Sequence, residues 1–195
     1  MNNKPFAEVI ESSLHGWLAQ SWQWDQFPLF GSLVGIQQDQ RIHIGIVHQV
    51  QTGSMDQMRY PFPYKKTEAQ LLKEQPQIFE FLKTTFNCLA IGSCHKGRLA
   101  YVLPPQPPKI HSFIQPLERD LIKQFFSNEQ YLHTLFASGS KIENVDELLL
   151  ALLTQQQEDG ILTEQKIARF MQTYSLLTGK DYRRMKLFLQ RVTIS

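Results

Sequence analysis

The chain has 195 residues, 42% of them hydrophobic, two cysteines and a formal net charge of +2. That length can bury one good core, or one core plus a small second domain. So small a net charge makes no global electrostatic case for nucleic acid or an anionic membrane as the main partner, and two cysteines are too few for a disulfide scaffold. The longest aliphatic run, residues 148–153, is far below the ~20 residues that a membrane-spanning helix needs. Residues 1–20 lack the uninterrupted apolar core of a secretory signal. These features lead to the expectation of a soluble, cytoplasmic protein.

Residues 6–20 carry Val9, Ile10, Leu14, Trp17 and Leu18, broken by Ser12-Ser13 and Gly16, which predicts two short strands joined by a turn. Trp22, Trp24 and Phe27 follow. Three aromatics beside a turn read as the lid of a core, with a base-stacking platform as the alternative. Residues 30–50 then form two β-rich runs separated by the polar link Gln37-Gln38-Asp39-Gln40-Arg41, the pattern of a hairpin. In its second run Ile42, Ile44, Ile46 and Val50 share one face with His48, while His43, Gly45, Val47 and Gln49 take the other. Gly35 and Gly45 permit bending or close backbone approach, as a small barrel requires.

Pro61 and Pro63 exclude a central strand or a helix interior from the aromatic stretch that follows. Thr67-Glu68-Ala69-Gln70 is a capping box opening a short helix, and Pro76 suits the first position of a second one. Ile78, Phe79, Leu82 and Phe86 fall at helical spacing there, so this helix is expected to face and plug the barrel. Strand character returns over residues 88–101, around the turn His95-Lys96-Gly97, with Leu89, Ile91, Leu99 and Tyr101 as inward sets. Pro104-Pro105-Gln106-Pro107-Pro108 must be extended and reads as a stiff surface strap, the other use of such a run being a ligand for a proline-recognising module.

Beyond Pro116 the period becomes helical. Leu117, Leu121 and Phe125, then Tyr131, Leu132, Leu135 and Phe136, repeat at three and four, with Ser127-Asn128-Glu129-Gln130 as a second capping box. Asn144, Thr163 and Asp181 are the expected caps of three further amphipathic helices. The predicted class is α+β: a small closed or partly open β-barrel of about six strands over residues 1–115, with helices inserted around 67–86. A helical region over 116–195 follows, its first part (116–137) packing on the barrel and its last (144–193) a three-helix appendage.

The run Glu74-Gln75-Pro76-Gln77-Ile78-Phe79-Glu80, with Leu82-Lys83-Thr84 and Phe86 after it, resembles the HAS-barrel family. That is the barrel shared by HerA-type helicases and the ATP synthase α and β subunits. Gly31, the Gly45-Ile46-Val47 strand, the Arg59-Tyr60-Pro61 turn and the strap over residues 104–111 carry the rest of the resemblance, which spans residues 5–137. It implies a six-stranded barrel that packs against neighbours in a ring or serves as an N-terminal module. HerA-like proteins continue into an ATPase domain with a phosphate-binding loop, where residues 116–195 here read as helices. This chain's nearest approach to a phosphate-binding loop, Thr178-Gly179-Lys180-Asp181, has Tyr174 in place of the first glycine and Asp181 in place of the magnesium-binding Ser or Thr.

No motif of a known chemistry appears. Cys88 and Cys94 share a face of an extended strand about 20 Å apart, and no further Cys or His follows Cys94-His95 at zinc spacing. Neither a Gly-x-Ser-x-Gly elbow nor a His-Glu-x-x-His helix is present, and Glu118 and Asp120 project differently from a helix. No catalytic, cofactor-binding or metal-ligating residue is therefore expected. One charge feature has geometry: at ~100° per residue, Lys180, Arg183, Arg184 and Arg191 fall within one sector of the last helix. Such a stripe is a solvated face or a contact for a phosphate backbone. The sequence thus leads to a non-catalytic assembly or protein-interaction module, with self-association or a protein partner, as the first expectation. Nucleic-acid binding through the barrel face or the last helix is the alternative.

Overall fold

The structure, a computed structural model, describes residues 4–56 and 62–192. The Arg59-Tyr60-Pro61 turn lies outside them. Among the described residues seven strands run in the order β1 (Ala7–Ser13), β2 (Gly16–Ser21), β3 (Leu33–Gln38), β4 (Arg41–Ser54), β5 (Leu82–His95), β6 (Arg98–Ala100) and β7 (Phe113–Pro116). In space the order is β2-β1-β7-β3-β4-β5-β6, and an additional β2–β5 pairing closes six of them into an antiparallel barrel. The expected class is observed: a six-stranded closed barrel, an extra strand β6, inserted helices and C-terminal helices.

The barrel's closing seam depends on a missing side chain. A Cβ on Gly16 would lie 2.2 Å from the carbonyl oxygen of Cys88, so only glycine lets β2 reach β5 there. Inside the wall, Val9, Trp17, Ala19, Val34, Ile36, Val47, Phe86, Cys88 and Ile114 form one buried cluster. Gly45 leaves the space that the Trp17 indole fills, since a Cβ there would meet the ring at 2.4 Å. Phe86, which the periodicity places on a helix, is on β5 and fully buried. It stacks on Phe6 at 6.0 Å.

Two bulges set which residues face in. Opposite Gly45 and Ile44, β5 carries Ile91 as an extra residue; opposite Cys88 and Asn87, β4 carries His48. A bulge advances the alternation by one position. Val50 therefore joins the interior cluster with Val47, while Ile44 and Ile46 face out of the barrel. The uniform alternation expected for residues 42–50 is broken at His48.

The inserted helices are short: α1 (Glu68–Glu74) and α2 (Gln77–Glu80). The Thr67 capping box forms, its hydroxyl accepting from Gln70 N while the Gln70 side chain accepts from Thr67 N. Neither helix buries a residue, so the expected plug is absent. The chain reaches strand geometry at Leu82, too soon for a helix to carry Leu82 or Phe86. Phe79 instead stacks on Trp24 at 5.5 Å. The proline strap runs along the wall, where Ser12 Oγ donates to the Pro108 carbonyl and His111 N to that of Val9.

Helices α3 (Arg119–Phe125), α4 (Tyr131–Ala137), α5 (Val145–Glu158), α6 (Glu164–Leu177) and α7 (Tyr182–Leu189) complete the chain. Asn144, Thr163 and Asp181 cap α5, α6 and α7 with their side chains, as their positions predict. The second capping box does not form: Asn128 accepts from Gln130 N, and α4 starts without a side-chain cap. The outer faces of β4 and β5 (Ile44, Ile46, Leu89, Ile91) share one buried cluster with Leu132, Leu135, Leu149, Leu152, Phe170, Tyr174 and Phe188. The helices thus form a second layer on the barrel wall, and Leu89 and Ile91 point to this layer. No helix among the described residues is long and apolar enough to cross a membrane.

Candidate interaction surface

The antiparallel registers give the barrel two ends. One is built by residues 21–32, the end of β7 at Pro116 and the start of β5; the other by the β3–β4 turn, the β5–β6 turn and the strap. Side chains at the first end are apolar and exposed: Trp22 (53%), Phe27 (42%), Leu29 (66%) and Phe30 (38%), continued on the adjoining outer wall by Phe113 (55%). Of the expected lid, Trp22 and Phe27 are exposed, while Trp24 is half-buried against Phe79. Trp22 leans edge-on against Phe113 at 5.4 Å, outside the barrel.

Beside this shelf lies an apolar groove of about 360 Å³, lined by Phe6, Phe27, Pro28, Leu29, Leu33 and Pro116 among others. Phe6 joins shelf and groove, since its carbonyl accepts from Trp22 N while its ring lines the groove. The loop that carries Leu29 and Phe30 is held at its base. Gly31 adopts φ +83°, and a Cβ on it would lie 2.8 Å from that of Ala151 on α5. Gln155 Nε2 on the same helix donates to the Phe30 carbonyl at 2.9 Å. Large exposed apolar groups presented by an anchored backbone are the features of a protein-contact surface.

The other sequence-derived residues are placed as follows. Gln75 and Pro76 lead into α2, and Gly35 leaves room for Leu117, whose Cδ2 would be 2.5 Å from a Cβ there. Cys88 faces the barrel interior and Cys94 the helical layer, because the Ile91 bulge between them reverses the alternation; they do not share a face. Burial pushes the Cys88 thiol well up. No group of three metal-ligating side chains occurs among the described residues.

The basic stripe divides. Arg184 donates from Nε (2.9 Å) and Nη2 (2.8 Å) to the two carboxylate oxygens of Asp146, and Arg191 pairs with Glu147 at 2.7 Å. Arg184 therefore ties α7, and Arg191 the turn that follows it, to α5. Lys180 and Arg183 are exposed, Lys180 in the turn that ends α6 with φ +62°. Half of the stripe is engaged in internal ion pairs, and the other half, Lys180 and Arg183, faces solvent. Tyr182, expected on the apolar side of this helix, is 71% exposed, and Phe188 supplies the buried contact.

His48, the bulge residue, lines a polar cleft of about 340 Å³ with Glu11, His15, Asn87 and Lys141. Burial holds its imidazole below the usual range, against the opposing pull of Glu143. No protein-family model matches the chain, and no curated protein matches it as a relative.

Proposed function

We propose that this protein is a non-catalytic, cytoplasmic assembly module whose HAS-like barrel seats a neighbouring protein, in the first place another copy of the chain, on its aromatic end. The observation that carries the reading is the shelf of Trp22, Phe27, Leu29, Phe30 and Phe113 continuous with the apolar groove. Burying such side chains yields roughly 25 cal/mol per Å² of apolar area, enough for a few of them to anchor an interface. The resemblance to barrels that line up in rings supports the same end as a joint, in an accessory of a HerA-like or ATP-synthase-like ring.

The test is light scattering over a concentration series into high micromolar, on the parent chain and on a Phe27→Glu/Leu29→Glu variant. Both side chains are exposed, so the fold should tolerate the change. The expected result is a concentration-dependent rise in mass that the variant abolishes. A strict monomer throughout, or association unchanged in the variant, overturns the reading.

A further inference from the structure

The end of the barrel opposite the aromatic shelf is polar, and its polarity comes from the register of two strands. Arg41 pairs with His95 and His43 with Ser93 across β4 and β5. These pairs lie beyond the Ile91 bulge, on the side of the β3–β4 and β5–β6 turns, and on β4 they continue the interior face that Gly45, facing Trp17, and Val47 occupy further along. The four side chains therefore form a square on the inner surface at the mouth of the barrel. Arg41 Nη1 donates to Ser93 Oγ at 3.1 Å, which fixes the guanidinium across the strand pair. Ser93 and His43 are each 2% exposed.

Nδ1 of His43 is buried without a hydrogen-bond partner among the described residues. A buried, unsatisfied polar atom is costly, and natural folds rarely keep one without a use. Arg41, His43 and His95 also line one cleft of about 330 Å³ with Asp39, Gln38 and Gln106. A guanidinium and two imidazoles concentrate N–H donors on that space, against one carboxylate in the turn. The charge of Arg41 repels a cation, and no three-ligand metal group exists among the described residues.

We propose that this mouth binds a small molecule through an oxyanion group, phosphoryl or carboxylate, held between the Arg41 guanidinium and the imidazoles of His43 and His95. Arginine presents two parallel N–H bonds to such a group, and the cleft has room for the group and a small attached body. In the free protein, burial and the neighbouring Arg41 charge hold the His43 imidazole below its usual range. A bound anion opposes both effects. The charged and titratable groups lining the cleft are Asp39, Arg41, His43 and His95, and Arg98 on β6 pairs with His95 from the other side, so binding draws in protons and tightens as the pH falls.

The experiment uses the full chain with inorganic phosphate, sulfate and succinate, each against sodium chloride at matched ionic strength. Binding is read by thermal shift and by the imidazole resonances in NMR. The expected result is saturable stabilisation by at least one oxyanion, with the His43 and His95 resonances moving together. Phosphate and sulfate acting without succinate assigns a phosphoryl ligand; succinate acting alone assigns a carboxylate. Sulfate does not titrate near neutrality, so its tighter binding at pH 6 than at pH 8 reports on the protein. Arg41→Gln should weaken binding about tenfold or more, the loss of one charged bidentate contact. Exposed His95→Gln should weaken it severalfold without touching the fold, and decides the matter if Arg41→Gln does not fold. Chloride giving the same stabilisation as every oxyanion, or His95→Gln binding with unchanged affinity, overturns the proposal.

Discussion

At the scale of single residues, the barrel is organised by side chains that are missing. The interior has room for the Trp17 indole only because position 45 carries a hydrogen in place of a methyl group. Gly45→Val should therefore cost about 2–3 kcal/mol, the upper part of the range for an overpacked core site. The comparison is Gly53→Ala on the same strand, where an added Cβ meets nothing within 4 Å and the change should stay within about 0.5 kcal/mol. Denaturant melts of the two variants check this, and equal destabilisation would contradict the packing role of Gly45. Gly45 was legible from the sequence as a place of bending or close approach. Which group approaches was not, since Trp17 is 28 positions away along the chain and meets it only after the barrel closes.

The elements tell a similar story of local rules kept and non-local ones hidden. Thr67, Asn144, Thr163 and Asp181 all cap the helices that they precede, because a cap depends on the next three backbone amides and on nothing distant. The two bulges depend on the partner strand, so the sequence of either strand alone leaves them invisible. They account for the inverted faces of Val50 and Cys94. The polar mouth was hidden for the same reason: Arg41 and His95 become neighbours through register alone, whereas the aromatics of residues 22–30 stood out as a cluster whose exposure the sequence left open.

Among the helices, Asp146 is the joint, accepting from Arg184 twice and from the Tyr174 hydroxyl at 3.1 Å. Burial, then the Asp146 charge, raises the Tyr174 phenol to about 12, so it remains a donor at any ordinary pH. Asp146→Ala should cost about 1–2 kcal/mol, a bidentate pair discounted for the exposure of Arg184. A double-mutant cycle with Arg184→Ala isolates the coupling, and strictly additive losses would refute the joint.

For the molecule as a whole, the helices complete the barrel. Ile44, Ile46, Leu89 and Ile91 are buried in one cluster with residues of α3 to α7, which lie over them. A chain ending after Pro116 should keep every barrel strand yet expose this apolar wall, and should aggregate or lose its fixed tertiary structure. Solubility and a dispersed amide spectrum are the measurements, and a soluble, well-dispersed monomer would show that the helices are a dispensable appendage.

The four residues of β7 have a consequence of a different kind. They lie between β1 and β3, bonding Ala7 and Glu8 on one side and residues 34–36 on the other. The gap in the wall therefore waits for a segment made some hundred residues after its first neighbour. During synthesis the earlier strands can form only an open, sticky sheet. Closing it carries the entropy of a long loop, which places this protein among the slower folders of its size and makes that interval the one in which a chaperone would matter most.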